Sequence, residues 1–320
     1  MKRWLKILIA LLGIVLVVAG ILWWIRFYEL GKGQLAVIGL SVSDPDLGYG
    51  IYLFDPIHRS WRELPTDDLF PWYLAWSPDG KKIAFTYSMD STRDFNPLVG
   101  IAILNLENME TKKVYISPSD EFLNVVTWSL DGQSLIFDVY KKGAKNSALI
   151  AFQSLDTEAG KLHSIPFPQN IQPQYFGINH LEVAQNNDYV IGGSNGLYIA
   201  PPNLEKLDQI TKSIDGFSLT PDRTEITTLC APSSLCNYSV DTKNITKKYY
   251  SNFSDYGVIA AGNWSYNQKA MIYLAESGEG DPQYIMLLDT LSHMNFPIYK
   301  HQSVDIGPIY VWRLAWYSVK

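Results

Sequence analysis

Charged residues are scarce in this sequence. They make up 18% of the 320 residues, whereas 47% are hydrophobic and 13% are aromatic. A chain of this composition is too apolar for intrinsic disorder and long enough to bury a large core. The formal net charge is −6, and the part that follows Arg26 carries −10, because the early basic residues Lys2, Arg3, Lys6 and Arg26 account for four positive charges. That charge excludes binding to nucleic acid or to anionic lipid by electrostatic attraction.

Cysteine and metal-binding patterns are also sparse. The sequence has two cysteines, Cys230 and Cys236, which flank the segment APSSL between two strand-like runs. Outside the cell such a pair would close a hairpin disulfide, and two separate thiols are the alternative. The five histidines never fall at metal-ligand spacing, and the segment Asp44–Gly48 lacks the remaining ligands of a calcium loop. We therefore expect neither a metal nor another cofactor.

One long apolar run stands near the N-terminus. Residues 5–25, LKILIALLGIVLVVAGILWWI, contain Lys6 as their only charge. A helix of this length can cross a hydrocarbon core of roughly 30 Å. Basic residues before the run and aromatic residues after it predict a single-pass anchor in the plasma membrane. Residues 1–30 would then form a cytoplasmic tip and the anchor in the lipid bilayer, with the rest of the chain outside the cell. The alternative is a cleavable signal peptide that ends near Ala19.

A hairpin motif recurs along the remaining chain. The stretch LAWSPDGKKIAFTY, residues 74–87, reads as two short strands joined by a tight turn at Ser77–Gly80. Proline fixes φ at the first central turn position, and glycine accepts the positive φ at which the chain reverses. Related hairpins recur 36 to 55 residues apart, at Trp76, Trp128, Val183, Leu219, Trp264 and Trp316. A strand-rich repeat of about 40–50 residues is typical of the blades of a β-propeller.

Six copies of the hairpin predict six blades, each a four-stranded antiparallel meander. Residues 34–65 supply runs for a second, third and fourth strand without a first, whereas residues 313–319 form a first strand with nothing after it. Pairing of these two segments would close the ring and leave no free inner edge. The sequence therefore predicts an all-β, six-bladed β-propeller over residues 31–320, preceded by a transmembrane helix, with the first blade completed by residues 313–319.

The hairpin W-S-P-D-G-x-x-I-A-F at residues 76–85 resembles the repeat of TolB-type, WD-like propellers. The match is good again at residues 128–137, partial at Leu219 and Trp264, and poor at Val183. This resemblance implies a six-bladed, generally non-catalytic binding scaffold that acts outside the cytoplasmic membrane.

A propeller has two faces of different character. The connections between strands two and three of a blade, and those between blades, share one face, here called the loop face. The SPDG-type turns lie on the opposite side, here called the turn face. In this sequence the loop-face connections are long, varied and aromatic, as expected of a recognition surface. The predicted binding residues are Asp67, Asp68, Phe70, Trp72, Tyr73, Arg93, Tyr175, Phe176, Phe253, Tyr256, Tyr310 and Trp312. Packing between blades is the alternative role of Trp72 and Trp312, and the four repeat tryptophans are expected in the core.

These features predict a membrane-anchored, exported propeller that binds a protein, a peptide or a cell-envelope glycan without catalysis. The alternative is an enzyme, a lyase or hydrolase, acting at the central channel, where Tyr73, Asn124 and Arg313 are the nearest candidate groups. A purely structural role in an envelope complex is a third hypothesis. Residues 192–196 match G-x-S-x-G, but we interpret them as a turn within a blade, because a nucleophile elbow needs a strand-to-helix turn.

Overall fold

In the part of the chain that the structure describes, one helix and 25 strands make up the regular structure. The computed structural model describes residues 2–30, 33–41, 49–89, 99–142, 148–166, 177–212, 216–231, 234–250, 257–260, 263–265, 268–276, 283–292, 295–300 and 309–317. The elements are α1 Lys2–Leu30, β1 Gln34–Ser41, β2 Tyr49–Asp55, β3 Ser60–Leu64, β4 Phe70–Trp76, β5 Lys82–Ser88, β6 Gly100–Asn105, β7 Glu110–Ile116, β8 Glu121–Phe122, β9 Val126–Trp128, β10 Ser134–Lys141, β11 Ala148–Asp156, β12 Leu162–Pro166, β13 Ile178–Val183, β14 Tyr189–Gly193, β15 Gly196–Ala200, β16 Asp208–Thr211, β17 Phe217–Leu219, β18 Glu225–Ala231, β19 Ser234–Ser239, β20 Ile245–Tyr250, β21 Gly257–Ala260, β22 Ala270–Glu276, β23 Gln283–Asp289, β24 Asn295–Lys300 and β25 Ile309–Tyr317.

The strands form six antiparallel meanders, which are the six blades of a β-propeller. Blade 1 has the strand order β25-β1-β2-β3, and blades 2 to 6 follow the chain as β4–β7, β8–β12, β13–β16, β17–β20 and β21–β24. In blade 3 the first strand is divided into β8 and β9, and both parts pair with β10. The repeat at Val183, the least similar to the others, is a complete blade. The predicted fold, all-β with six blades, is confirmed.

The ring is closed by the pairing of β25 with β1. Their register runs from Gln34 opposite Tyr317 to Ser41 opposite Ile309. The strand that completes blade 1 is therefore Ile309–Tyr317, and it begins earlier than the segment 313–319 that the sequence indicated. The residues of β1 between Leu35 and Ile38 are buried, so the closing pair belongs to the core rather than to a loose edge.

The recurring turn between the first two strands of a blade is fixed by a hydroxyl group. The Ser77 hydroxyl donates to Asp79 Oδ1 at 2.6 Å and accepts the Lys82 N–H at 2.9 Å, while Gly80 has a φ of 68°. Ser129 makes the same pair of bonds in blade 3, as does Thr220 in blade 5. The threonine turn keeps this geometry although it lacks the glycine. A side-chain oxygen that satisfies turn amides therefore specifies the hairpin better than the glycine does.

The repeat tryptophans join neighbouring blades. Trp128 is 1% exposed, and its Nε1–H donates to the carbonyl oxygen of Ala75 in blade 2 at 3.1 Å. Trp264 is also buried and donates to Thr227 Oγ1 of blade 5 at 2.7 Å. Trp76 is only half-buried, although it packs against the core of blades 1 and 2. The side chain of Trp316 lies outside the described part of the chain.

The predicted membrane anchor is not upheld. Helix α1 covers Lys2–Leu30, but among the described residues no helix is both long and apolar enough to cross a membrane. On this finding, the predicted transmembrane segment at residues 5–25, with its signal-anchor role, is wrong. The predicted plasma-membrane location is wrong for the same reason.

An ion pair connects α1 to the propeller. The Arg26 guanidinium donates from Nε and Nη2 to the two carboxylate oxygens of Asp289, at 2.9 and 2.8 Å. Burial opposes ionisation of Asp289, but hydrogen bonds from Arg26 and Ser292 outweigh it and hold the pKa of this carboxyl below its usual range. Asp289 ends β23, beside the turn that leads to β24. The end of α1 is therefore held at the turn face of blade 6, and the loop face points away from it.

Replacing Arg26 with alanine should lower the free energy of unfolding by about 1–2 kcal/mol, because it leaves the Asp289 carboxylate without its charged donor. The Asp289 side chain is 3% exposed in the ion pair, and we expect hydration to recover only part of that loss. Urea unfolding of the full chain measures the change. The control is Arg62→Ala in β3, where the arginine is exposed and the expected change is within about 0.5 kcal/mol. Equal effects of the two substitutions would contradict the role assigned to the ion pair.

Candidate functional site

The first strand of most blades carries one extra residue near the loop face. In β4 the register passes from Pro71 opposite Tyr87 to Tyr73 opposite Thr86, so Trp72 is the extra residue of a β-bulge. The same irregularity adds Asn179 to β13 and Ile259 to β21, and Trp312 occupies the corresponding place in β25. In blade 3 it divides the strand into β8 and β9. Such β-bulges bend a strand and redirect a side chain, and they are over-represented beside binding and active sites.

The bulge in β4 turns Trp72 outward. Trp72 is 47% exposed, whereas Tyr73, the next residue, is 5% exposed. The preceding loop ends in a turn in which the Leu69 N–H donates to the Thr66 carbonyl oxygen at 3.0 Å. Within this turn Asp67 and Asp68 are exposed and have positive φ, which aspartate tolerates better than most residues. Blade 2 thus presents a half-exposed indole close in sequence to two exposed carboxylates on the loop face.

The predicted binding residues differ in their exposure to solvent, and several lie outside the described part of the chain. Asp67, Asp68 and Trp72 are exposed and Phe70 is half-buried, while Tyr73 is buried and belongs to the core. Tyr310 and Trp312 are in β25, and their side chains are outside the description. The other predicted residues also lie outside the described ranges: Arg93, Tyr175, Phe176, Phe253 and Tyr256. For these residues the binding role stays a prediction.

Aromatic rings from blades 2, 4 and 5 meet at the level of Tyr73. The ring of Tyr73 in blade 2 meets the imidazole of His180 in blade 4 edge-on, with centroids 5.9 Å apart. His180 also stacks on Phe217 of blade 5 at 4.2 Å, and its Nε2 lies 3.3 Å from Glu182 Oε1. This His–Glu pair was not predicted from the sequence. The signal was the spacing of two residues, because side chains two apart on a strand share one face.

Next to this level, Asn124 connects three blades. Its carbonyl oxygen accepts the Thr86 hydroxyl of blade 2 at 3.2 Å, and its Nδ2 donates to the Ile178 carbonyl oxygen of blade 4. Its own N–H donates to Asp138 Oδ1 at 2.8 Å. Burial raises the pKa of Asp138 to about 7, although hydrogen bonds from backbone amides such as that of Asn124 act to lower it. Of the candidates for the enzyme hypothesis, Asn124 is thus committed to structural bonds, Tyr73 is in the core, and the Arg313 side chain is outside the description.

A shallow cavity of about 260 Å³ lies on the turn face between blades 4 and 5. Lys206 and Lys243 both contact Asp208 Oδ2 there, and their hydrogen bonds hold the pKa of that carboxyl below its usual value. Asp188 and Asp241 contribute two further carboxylates to the lining. Because opposite charges are mixed throughout the cavity, its lining selects no particular ligand class.

Two smaller predictions concern blades 4 and 5. Residues 192–196, which match G-x-S-x-G, form the connection between β14 and β15, so their interpretation as a turn within a blade is confirmed. In blade 5, Cys236 is buried and disulfide-bonded, and the sequence offers Cys230 as its one other cysteine. The bond would join neighbouring strands β18 and β19, so it closes a short loop and constrains the chain locally.

Comparison with known proteins gives a likeness in fold. No protein-family model matches the sequence, and neither does any curated protein. Among solved structures, TolB from Acinetobacter baumannii superposes with a TM-score of 0.62 at 15% identity, over 89% of this chain and 66% of TolB. The fold is that of a TolB-type propeller. This chain therefore spans just under two thirds of the length of TolB.

Two further solved structures have a similar fold. An oligogalacturonate lyase in complex with manganese aligns with a TM-score of 0.54 and 11% identity, over 80% of this chain and 72% of the lyase. A chain of a nidogen–laminin complex aligns with a TM-score of 0.56 and 6% identity, over 86% of this chain and 96% of that one. In the described part of the TolB-like propeller, no three His, Cys, Asp or Glu side chains are grouped so that they could hold a metal ion.

Proposed function

We propose that this TolB-like propeller is a non-catalytic binding scaffold that holds a protein, peptide or glycan segment on its loop face. The observation that carries the proposal is the bulge in β4, which exposes the Trp72 indole beside a buried, rigid strand. Exposed tryptophans held on a rigid framework contribute large contact area at a low entropy cost, and they dominate many interfaces. The attachment of α1 at the turn face leaves the loop face accessible, which also supports this assignment.

The enzyme hypothesis has one observation in its favour, the His180–Glu182 pair, which could act as an acid and a base. The packing around it favours binding instead. His180 is held between Tyr73 and Phe217, and Glu182 Oε1 also accepts the Leu219 N–H at 3.4 Å. Incubation with oligogalacturonate, followed by the ultraviolet absorbance of unsaturated products, tests the enzyme hypothesis for the lyase reaction named for one structural neighbour. We expect no cleavage; activity that disappears in His180→Gln would establish the enzyme instead.

Photo-crosslinking tests the binding proposal directly. A benzophenone amino acid at position 72 should capture a partner in extracts of the producing cells, and mass spectrometry or carbohydrate staining then identifies its class. The matched control carries the same amino acid at Leu291, which is 74% exposed on the turn face. Capture should occur at position 72 and be absent at position 291. Equal capture at both positions would contradict a site on the loop face.

Trp72→Ala should reduce recovery of that partner at least tenfold, because a central interface tryptophan contributes about 2 kcal/mol or more to binding. The melting temperature should change little, since half of the side chain is already in water. Partner recovery from a non-crosslinked pull-down and a thermal melt of the same sample measure both quantities. A large drop in melting temperature would assign Trp72 to blade packing instead.

A further inference from the structure

A buried carboxyl group stabilises the bulge between β8 and β9 in blade 3. Asp138 lies in β10 and has no exposed surface. Its Oδ1 accepts the N–H groups of Asn124 at 2.8 Å and of Val125 at 2.9 Å. These are consecutive amides of the bulge between β8 and β9. One side-chain oxygen therefore accepts the two backbone N–H groups that would otherwise pair with a neighbouring strand.

The same bulge joins blade 3 to the blades on both sides. Asn124 accepts a bond from Thr86 of β5 and donates one to the carbonyl oxygen of Ile178 in β13. Two residues along β10 from Asp138, the hydroxyl oxygen of Tyr140 accepts the Ile178 N–H at 2.8 Å. Blades 2, 3 and 4 thus meet at one point, here called the Asp138 junction: Thr86, Asn124, Val125, Asp138, Tyr140 and Ile178.

The second oxygen of the Asp138 carboxyl makes the junction sensitive to protonation. Oδ2 is buried and has no hydrogen-bond partner among the described residues. Tyr140 is the titratable neighbour that acts on this carboxyl: burial raises the pKa of both groups, and the Tyr140 hydroxyl, although it makes no bond of good geometry to Oδ2, offsets part of the rise for Asp138. From β5, the β8–β9 segment and β13, the junction receives Thr86, Asn124, Val125 and Ile178, none of which titrates. A neutral carboxyl suits this apolar position, whereas an ionised one leaves a charged oxygen unsatisfied.

We propose that Asp138 is a proton-controlled latch that joins blades 2, 3 and 4 beside the channel. With its proton bound, the carboxyl keeps the bulge closed without burying a charge. When the proton passes to solvent, hydration of Oδ2 favours an open junction, in which the amides of Asn124, Val125 and Ile178 exchange with water. The latch is a property of the scaffold. It does not depend on which ligand the loop face binds.

The sign of the pH effect follows from proton linkage. In the closed junction the pKa of Asp138 is raised to about 7, while an open, hydrated aspartate has a pKa of about 3.9. The closed form therefore binds more protons between these two values, and its stability is lost as the pH rises through that interval. Above about pH 7 both forms are ionised, so opening should level off.

Hydrogen–deuterium exchange of the full chain between about pH 5 and pH 8 tests the latch, after correction for the intrinsic pH dependence of exchange. Protection of the amides of Asn124, Val125 and Ile178 should fall about tenfold for each pH unit up to about pH 7, then remain constant. Peptides from β19 and β20 in blade 5, which are distant from the junction in sequence and belong to another blade, serve as the internal control and should not change. In Asp138→Asn, which cannot ionise, protection at the junction should be independent of pH.

Two outcomes would overturn the latch: junction protection that does not depend on pH, or a fall of the same size in blade 5. A fall that persists in Asp138→Asn would also overturn it. If Asp138→Asn does not fold, the unmodified protein still tests the latch, because the pH dependence of protection can be compared between the junction and blade 5. Infrared difference spectra add a direct measurement, because a protonated carboxyl band that disappears near neutral pH is expected from Asp138 and should be absent in the variant.

Discussion

A chain that lacks residues 309–320 should lose its cooperative thermal transition. Strand β25 pairs with β1 along the whole length of β1, and its removal would expose Leu35, Val37 and Ile38, which are at most 1% exposed in the closed ring. The lost backbone bonds and apolar burial exceed the about 5–15 kcal/mol by which a typical domain is stable. An unpaired inner edge would also recruit strands from other molecules. Circular dichroism melts and light scattering measure both consequences.

Two variants separate loss of closure from general damage by truncation. Deletion of residues 318–320, which follow β25, should leave the melting temperature unchanged. A permuted chain that carries residues 309–320 between α1 and β1 should recover most of the stability, because the end of β25 lies beside the start of β1, with Tyr317 opposite Gln34. Failure of the permuted chain to recover, or a stable chain without β25, would show that pairing with β1 does not close the ring.

Trp128→Ala should lower the free energy of unfolding by about 3–5 kcal/mol, the range seen when large buried aromatic residues are truncated. The indole is 1% exposed and packs between blades 2 and 3, and its removal would also leave the Ala75 carbonyl oxygen without its Nε1–H donor. Trp128→Phe keeps most of the ring volume and should cost less, so the difference isolates the hydrogen bond and the lost second ring. Guanidinium unfolding with a constant m-value measures each change.

Trp72→Ala is the matched control for this prediction, since it removes the same side chain from an exposed position. Its expected cost is below about 1 kcal/mol. The two tryptophans thus make opposite predictions: Trp128 determines stability and should not affect binding, whereas Trp72 determines binding and should barely affect stability. Similar losses of stability in both variants would contradict the division between core and recognition residues.

The hairpin repeat could be predicted from the sequence because its structural determinants lie close together along the chain. The turn at Ser77–Gly80 depends on a hydroxyl, a carboxylate and a positive φ within a few residues, so its recurrence in the sequence identifies the blades. Even the weakest copy at Val183 forms a blade, where Asn187 supplies the positive φ that glycine supplies elsewhere.

The recognition surface was less predictable because a bulge decides it. Trp72 and Tyr73 are neighbours in sequence, and alternation along a strand does not say which of them faces water. The extra residue in β4 shifts the register at that point, exposing Trp72 and burying Tyr73. The Asp138 junction was equally hidden, because Asp138, Asn124 and Ile178 become neighbours only when three blades assemble.

The order of hydrophobic runs and turn residues determined by itself that this chain forms a β-propeller of six blades, since each hairpin is specified by contacts within about fifteen residues of sequence. Tertiary structure decided which rings of different blades meet, which carboxyl group is fully buried between blades and which indole reaches solvent. Those properties depend on register shifts and on contacts between blades, and such contacts join residues that are far apart along the chain.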